Sequence, residues 1–280
     1  MKNMVNDNME YFFGLPQGRY TEVLEGLGHT NVNSCQMSSI PLAEFWQPAN
    51  LDTIESLLLP ELPGLNLKSD LKFFEFPTPA MCDGKEIGRP SMTDLMILSA
   101  NWQIAIEGKM KEYLEGDAET IREWLEETGG HAGKSQRPEV LRAWFGYLAE
   151  AGCTGLDSFE RLVSDCGDVG YQFLHRTASA CNKANGTEGR VPVLVYQLFF
   201  DNGSGSHRAK MNGFRDTLRE WAERLRLRKM KFLVLTVPVA NYAEVWKRFG
   251  RIGSGIFRKM EREDIYRFRF DGIEVDALFK

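Results

Sequence analysis

The stretch PSMTDLMILSANWQIAIEGKMKE, residues 90–112, contains two apolar segments separated by a short polar break. Three charged residues, Asp94, Glu107 and Lys109, lie inside the apolar segments. Burying a charge is costly unless a partner compensates for it. The pattern therefore departs from that of an ordinary hydrophobic core.

The two apolar segments predict two β-strands, 92–98 and 103–110, joined by a turn centred in the polar break. In an antiparallel pair with that turn, Asp94 lies directly across from Glu107. Residues two apart on a strand share a face, so Lys109 lies on the same face as Glu107. Like charges that oppose each other across a ladder destabilise it. Folding alone does not select this arrangement.

A divalent cation between the two carboxylates would remove the conflict. Mg²⁺ prefers hard oxygen ligands and is typically held by one or two carboxylates with waters and substrate phosphate; Mn²⁺ is expected to substitute. The backbone carbonyl of Gly108 is a further expected ligand. The Lys109 ammonium would hold a neighbouring water or, if its pKa is depressed so that the amine is neutral, Lys109 would deprotonate that water. The alternative is a hairpin in which Lys109 only pairs with one carboxylate.

Asp94, the apolar strand after it and the run AIEGK at 105–109 resemble the PD-(D/E)XK nuclease superfamily, which has the restriction-endonuclease-like fold. PSMTD stands in for the PD element, although Pro90 is separated from Asp94 by three residues instead of adjoining it. The resemblance covers residues 50–200. It implies a metal-dependent phosphodiesterase acting on DNA, with Asp94 and Glu107 as metal ligands and Lys109 beside the attacking water.

The order of the predicted elements also follows that family. Besides the hairpin, the patterns predict helices at 51–59, 118–126, 138–149, 169–184 and 210–228, and strands at 71–76, 191–200 and 232–239. We expect the α/β fold class: a mixed β-sheet flanked by helices, with a restriction-endonuclease-like αβββαβ core and a C-terminal α/β extension.

The predicted domain organisation has two parts. Residues 1–48 form an N-terminal segment of uncertain structure, and residues 49–280 form the nuclease-like α/β domain. A helical insertion is expected at 111–168 and a basic C-terminal part at 207–269.

Four further residues are candidates for the site, each with an ordinary structural alternative. Glu75, inside an apolar strand, is either another metal ligand or an acid that faces water from an edge strand. Glu55, on the first predicted helix, is either an acid of the site or, as a capping box with Asp52 already explains, a helix-capping residue. Gln172 and Arg176 share one side of a predicted helix, where they would either contact the scissile phosphate or form a solvated face.

Charge is distributed unevenly along the chain, whose net charge is −5. Residues 207–269 contain seventeen Lys and Arg against seven Asp and Glu, as expected for a surface that faces nucleic acid or for solvated helices. The run RLRLRKMK, 224–231, either neutralises phosphates or complements a helix dipole.

Other motifs are excluded or uninformative. The run TGGHAGKSQ, 128–136, imitates a phosphate-binding loop but has Thr128 where that motif requires glycine. The five scattered cysteines form no CxxC pair and are expected to be reduced and buried.

We therefore expect a Mg²⁺-dependent nuclease that acts on DNA, in restriction or repair. The alternative is a catalytically inactive protein of the same fold that binds nucleic acid or acts as a scaffold. No membrane span or signal peptide is recognisable, so the cytoplasm is the expected location. No membrane partner is expected, and a homodimer is left open.

Overall fold

The sheet is the organising element of the fold. In a computed structural model its strands follow the order β2-β1-β3-β4-β5-β6-β7-β8. Pairs β1/β3, β5/β6 and β6/β7 are parallel and the others are antiparallel. The expected mixed sheet flanked by helices is confirmed. The structure describes residues 11–13, 17–18, 20–28, 38–110, 119–127, 136–182, 189–249 and 268–278.

Eight strands and nine α-helices fall within these residues. The strands are β1 Tyr11–Phe13, β2 Gln17–Gly18, β3 Leu71–Cys82, β4 Lys85–Leu98, β5 Trp102–Lys109, β6 Val191–Asp201, β7 Lys231–Val239 and β8 Glu274–Ala277. The helices are α1 Tyr20–Gly28, α2 Ser39–Phe45, α3 Leu51–Leu58, α4 Ile121–Glu126, α5 Arg137–Glu150, α6 Phe159–Cys166, α7 Tyr171–Cys181, α8 Gly205–Leu225 and α9 Tyr242–Phe249.

Helices cover both faces of the sheet, and each face has its own core. Side chains of α1, α2, α3 and α9 pack on one face together with alternate residues of β5, such as Ile104 and Ile106. Helices α5, α6, α7 and α8 pack on the other face, which receives Ala105. Because successive strand residues point to opposite faces, Glu107 and Lys109 point toward the second layer.

Strand β5 is buried along its whole length. It lies between β4 and β6 with helices above and below, and strands covered on both faces are normally apolar throughout. Glu107 and Lys109 are therefore exceptions in the most enclosed strand of the hairpin.

The β3/β4 hairpin is longer than its apolar runs predict. Its turn is Asp83-Gly84, with φ of 49° and 73°, and the preference of Asp-Gly for such tight turns explains why the strands continue to it. The predicted strand 71–76 stops before Pro77 and Pro79, whereas in the structure both prolines lie within β3. Strand β1 pairs with β3 only as far as Phe74, and proline is tolerated where one side of a strand lacks a partner.

Several local predictions differ from the structure. The capping box of Asp52 with Glu55 is wrong: Asn50 precedes the helix without a side-chain cap, and Glu55 Oε2 instead accepts a hydrogen bond from Leu67 N at 2.7 Å. Helix α6 was not predicted, and α8 begins at Gly205 and ends at Leu225 instead of spanning 210–228.

The described part of residues 1–48 contributes to the same sheet, since β1 pairs with β3. No helix in the described ranges is long and apolar enough to cross a membrane. The described cysteines are free, with Cys166 and Cys181 buried and Cys82 and Cys153 half-buried. Parts of the predicted motifs lie outside the described residues: 1–10, 111–118, 128–135, 183–188 and 250–267.

The loop after α5 passes very close to the end of α8. A methyl group at Gly155 would collide with the carbonyl oxygen of Arg224, and Gly155 N donates to Leu225 O at 3.0 Å. We expect Gly155→Ala to lower the free energy of unfolding by about 1–3 kcal/mol, because overpacking forces the backbone apart. Urea denaturation measures the change.

Gly146→Ala is the matched control. Gly146 lies inside α5, and nothing lies within 4 Å of an added Cβ. Alanine is the better helix former, so this substitution should raise stability by up to about 1 kcal/mol. Equal effects of the two substitutions would contradict the close approach at Gly155.

Candidate functional site

Asp94 and Glu107 lie where the pairing of β4 with β5 ends. The ladder runs from Leu98↔Gln103 to Leu95↔Ile106, which is the register that the sequence predicts, and Asp94 and Glu107 are the next opposed residues. There Asp94 Oδ2 accepts a hydrogen bond from the backbone N–H of Gly108 at 2.9 Å. Asp94 and Glu107 are thus opposed at the point where the paired ladder of β4 and β5 ends.

Glu107 is surrounded by donors. Its side chain is 3% exposed. Oε1 accepts hydrogen bonds from Lys109 Nζ at 2.9 Å and from Gln172 Nε2 at 2.8 Å. Oε2 forms an ion pair with Arg176 Nε at 2.5 Å, without an aligned hydrogen bond. A buried carboxylate is tolerated when it is paired in this way.

Arg176 connects the carboxylates to the N-terminal half of β4. Its guanidinium donates from Nη1 to Ser91 Oγ at 3.0 Å and to the carbonyl oxygen of Met92. The alternative in which this side of α7 is solvated is wrong, because Arg176 and Ser179 are both buried. Helix α7 is buried on both sides, since it packs against the sheet and against α5.

Asp94 is less well compensated than Glu107. Burial raises the pKa of Asp94 well above its usual value, and the negative charge of Glu107 raises it further. Arg176 and Lys109 lower it, but these two cations also serve Glu107. Asp94 therefore shares its two neighbouring cations with Glu107 and makes no ion pair of its own among the described residues.

Glu75 of β3 lies opposite Asp94 of β4, between the paired residues Phe74↔Leu95 and Phe76↔Thr93. Burial raises its pKa; Arg176 lowers it and Glu107 raises it. Its φ of 51° is unusual for a residue other than glycine. Backbone strain of this kind, costing on the order of 1–3 kcal/mol, is concentrated at functional sites.

Tyr196 and His175 also belong to the site and were not predicted. Tyr196 pairs with Glu107 across the parallel strands β5 and β6, and its buried hydroxyl has no hydrogen-bond partner among the described residues. His175 Nδ1 lies 2.8 Å from Ser91 Oγ. Burial lowers the pKa of His175 well below its usual value, and the neighbouring Arg176 and Lys109 lower it further.

A local signal existed only for His175, which stands next to Arg176 and one helical turn after Gln172. An aromatic residue such as Tyr196 inside an apolar strand is ordinarily part of the core.

A cavity of about 520 Å³ opens beside the cluster, between β4, α4, α5 and α7. Arg176 and His175 form its inner wall, and Arg89 and Arg137 also line it. No acidic residue is among its described lining residues. The cavity is therefore suited to a negatively charged group that approaches the carboxylates from the side of Arg176.

The donor set suits a hard cation only in part. In the part of the chain that the structure describes, no three His, Cys, Asp or Glu side chains come together as a metal-binding group. Two carboxylates, those of Asp94 and Glu107, belong to opposed residues, and Mg²⁺ is commonly held by one or two. Packing also accounts for glycine at position 108, because a Cβ added there would lie 3.0 Å from Ser38 Cβ.

The fold and this cluster define a mixed α/β protein with a buried carboxylate site enclosed by cations. The chain belongs to the family described as a domain of unknown function, DUF6946, which matches residues 20–237. No curated protein and no solved structure matches the chain.

The raised pKa of Asp94 generates a pH-dependent stability. A pKa higher in the folded than in the unfolded protein means that the folded state binds the proton more tightly. The stabilisation is present below the pKa that the Asp94 carboxyl has in the unfolded protein, about 4. It is lost as the pH rises through the higher pKa of the same group in the folded protein. Asp94→Asn removes the titrating group but keeps an oxygen for Gly108 N. We expect this variant to be at least as stable as the wild type at neutral pH, with a flatter profile.

Urea denaturation in EDTA across this pH range tests the expectation. Asp216→Asn, at an exposed residue of α8, is the control and should leave the profile unchanged. A profile of Asp94→Asn parallel to that of the wild type would show that Asp94 ionises freely.

Proposed function

We propose that this protein is a Mg²⁺-dependent nuclease of the PD-(D/E)XK type that hydrolyses phosphodiester bonds of DNA in the cytoplasm, in restriction or repair. The observation that carries the proposal is that Asp94 and Glu107 are opposed where the β4/β5 ladder ends, with Lys109 on the same face as Glu107. Two acids are placed together there although the pKa of Asp94 is raised by burial and by Glu107.

The succession of elements around the site supports the proposal. Helix α3 precedes β3, β4 and β5, and α7 then precedes β6. Apart from the helices between β5 and α7, this is the αβββαβ order of the nuclease family. Helix α7 packs on β4, β5 and β6 and brings Gln172 and Arg176 to Glu107.

Each residue has a role in this proposal. Asp94 and Glu107 would hold Mg²⁺, with the carbonyl of Gly108 and Glu75 as further candidates. When bound, the ion would supply Lewis-acid activation of the phosphate and of the attacking water. Lys109 would hold the attacking water beside the carboxylates or, as a neutral amine, accept its proton.

Arg176 would stabilise negative charge that develops on the phosphate, because a preorganised cation in a buried site acts strongly on such charge. Its guanidinium already spans from Glu107 to the wall of the 520 Å³ cavity. Substrate would therefore approach through that cavity. Gln172, which donates to Glu107, would hold the carboxylate in place or contact the phosphate.

A second candidate is favoured by one specific observation: cations of the protein already pair with both oxygens of Glu107, Lys109 with Oε1 and Arg176 with Oε2. A carboxylate paired in this way could have the sole role of holding α7 on the sheet. The protein would then be an inactive member of the nuclease fold that binds nucleic acid or acts as a scaffold.

A cleavage assay tests the first candidate. Purified protein should cut plasmid, linear or single-stranded DNA with Mg²⁺ or Mn²⁺ but not with EDTA. Glu107→Gln and Lys109→Met should each lower the rate by about 100-fold or more, the typical cost of losing a catalytic group. Glu86→Gln, at an exposed residue of β4, should retain full activity. Cleavage that survives both site variants would arise from another site or from a contaminant.

Calorimetric titration with Mn²⁺ separates the two candidates. The nuclease requires saturable binding that Glu107→Gln weakens by about ten-fold or more, since a charged ligand is lost. Circular dichroism of the variant should match that of the wild type. Absence of any saturable site in the folded wild type would favour the scaffold.

A further inference from the structure

A second cavity, of about 1010 Å³, lies at the opposite end of β5 from the carboxylate cluster. It is lined where β6 and β7 begin and where α7 and α8 end. Gln103 lines it, and Glu107 is four positions after Gln103 along β5. At about 3.3 Å per residue, the two sites are about 13 Å apart along the strand. The cavity is therefore a separate site.

Cations dominate the rim of this cavity. Five Lys or Arg residues line it against two acids: Arg190, Arg226, Arg228, Lys229 and Lys231 against Glu61 and Glu150. Two of the cations are engaged: Lys231 bonds to the carbonyl of Glu61 and pairs with its carboxylate at 3.7 Å, and Arg190 Nε donates to Ser99 O at 2.5 Å. No described side chain pairs with Arg226, Arg228 or Lys229.

Arg226 occupies a backbone conformation that favours glycine. It follows the last residue of α8 with φ 46° and ψ 51°, the left-handed geometry in which helices commonly end with glycine. Arginine there costs backbone energy that glycine would not. Helix capping thus does not explain why arginine occupies position 226. Arg228 and Lys229 lie beyond the end of α8, where the helix dipole no longer accounts for positive charge.

The floor of the cavity is apolar. Ala180, Cys181, Pro192, Leu227 and Met230 contribute to it. Val191, at its mouth, is 36% exposed, which makes it one of the exposed large apolar residues of the protein. A concave apolar floor with a few polar groups at its rim is the usual form of a small-molecule site.

We propose that this cavity binds a nucleoside polyphosphate, with the base on the apolar floor and the phosphates against Arg226, Arg228 and Lys229. Arginine and lysine are the residues that recognise phosphate oxygens. The concave shape favours a small ligand over the backbone of a long nucleic acid, which needs only an exposed basic stripe. The proposal does not depend on the nuclease activity.

Calorimetric titration with ATP in EDTA tests this site, because chelation keeps divalent ions away from the carboxylate cluster. The wild type should bind one ATP per chain. Arg226→Gly should weaken binding by about ten-fold or more, as expected for a lost charge-assisted hydrogen bond. The same substitution should not lower the melting temperature, because glycine suits the left-handed position. The double variant Arg228→Gln/Lys229→Gln should weaken binding further.

Two comparisons sharpen the result. Lys210→Gln removes one exposed charge from α8 outside the cavity and should leave ATP affinity unchanged. Inorganic tripolyphosphate should bind about ten-fold or more weakly than ATP, because it leaves the apolar floor uncovered. Equal affinity for the two ligands overturns the nucleoside assignment. Three outcomes overturn the proposal. The protein binds no ATP, the Arg226 and Arg228/Lys229 variants bind ATP as tightly as the wild type, or the protein binds a single-stranded oligonucleotide but not ATP.

Discussion

The ion pairs of Glu107 are the constraint on which the arrangement of this protein depends. Strand β5 is covered on both faces, so a carboxylate there requires cations that come from elsewhere in the fold. Lys109 supplies one from the same strand, and Arg176 supplies the other from α7. The contacts of Arg176 with Ser91 and Met92 then fix β4 as well. One buried charge thus joins the hairpin, the helix above it and the cavity beside it.

Asp94 shows that stability alone does not account for the cluster. Its carboxylate shares the cations that already serve Glu107, and burial next to that like charge raises its pKa. On the neighbouring strand β3, Glu75 lies opposite Asp94 and adopts a positive φ. Both features cost folding energy at the same place, and proteins accept such costs mainly where a site needs them. A cation or a proton at Asp94 would relieve the electrostatic part.

The two cavities lie toward opposite ends of β5 and differ in their lining residues. One opens beside the carboxylates and has Arg176 in its wall. The other is bounded by the basic run after α8 and has an apolar floor. A central strand with parallel β6 beside it separates them, so a ligand in one cavity is not in contact with the other.

The sequence by itself determined the mixed α/β class, the β4/β5 hairpin and its register, because strand periodicity and turn position are local properties. It also placed Asp94, Glu107 and Lys109 together for the same reason. The Asp83-Gly84 turn is an equally local signal, but the predicted strand ends at Phe76, before Pro77 and Pro79, and does not reach it.

Only the tertiary structure decided the rest. Tyr196 meets Glu107 through parallel pairing of strands far apart in sequence, and no local pattern specifies such a register. Helical periodicity showed that Arg176 shares a side with Gln172, but burial of that side depends on packing between α7, α5 and the sheet, which is a property of the assembled layers.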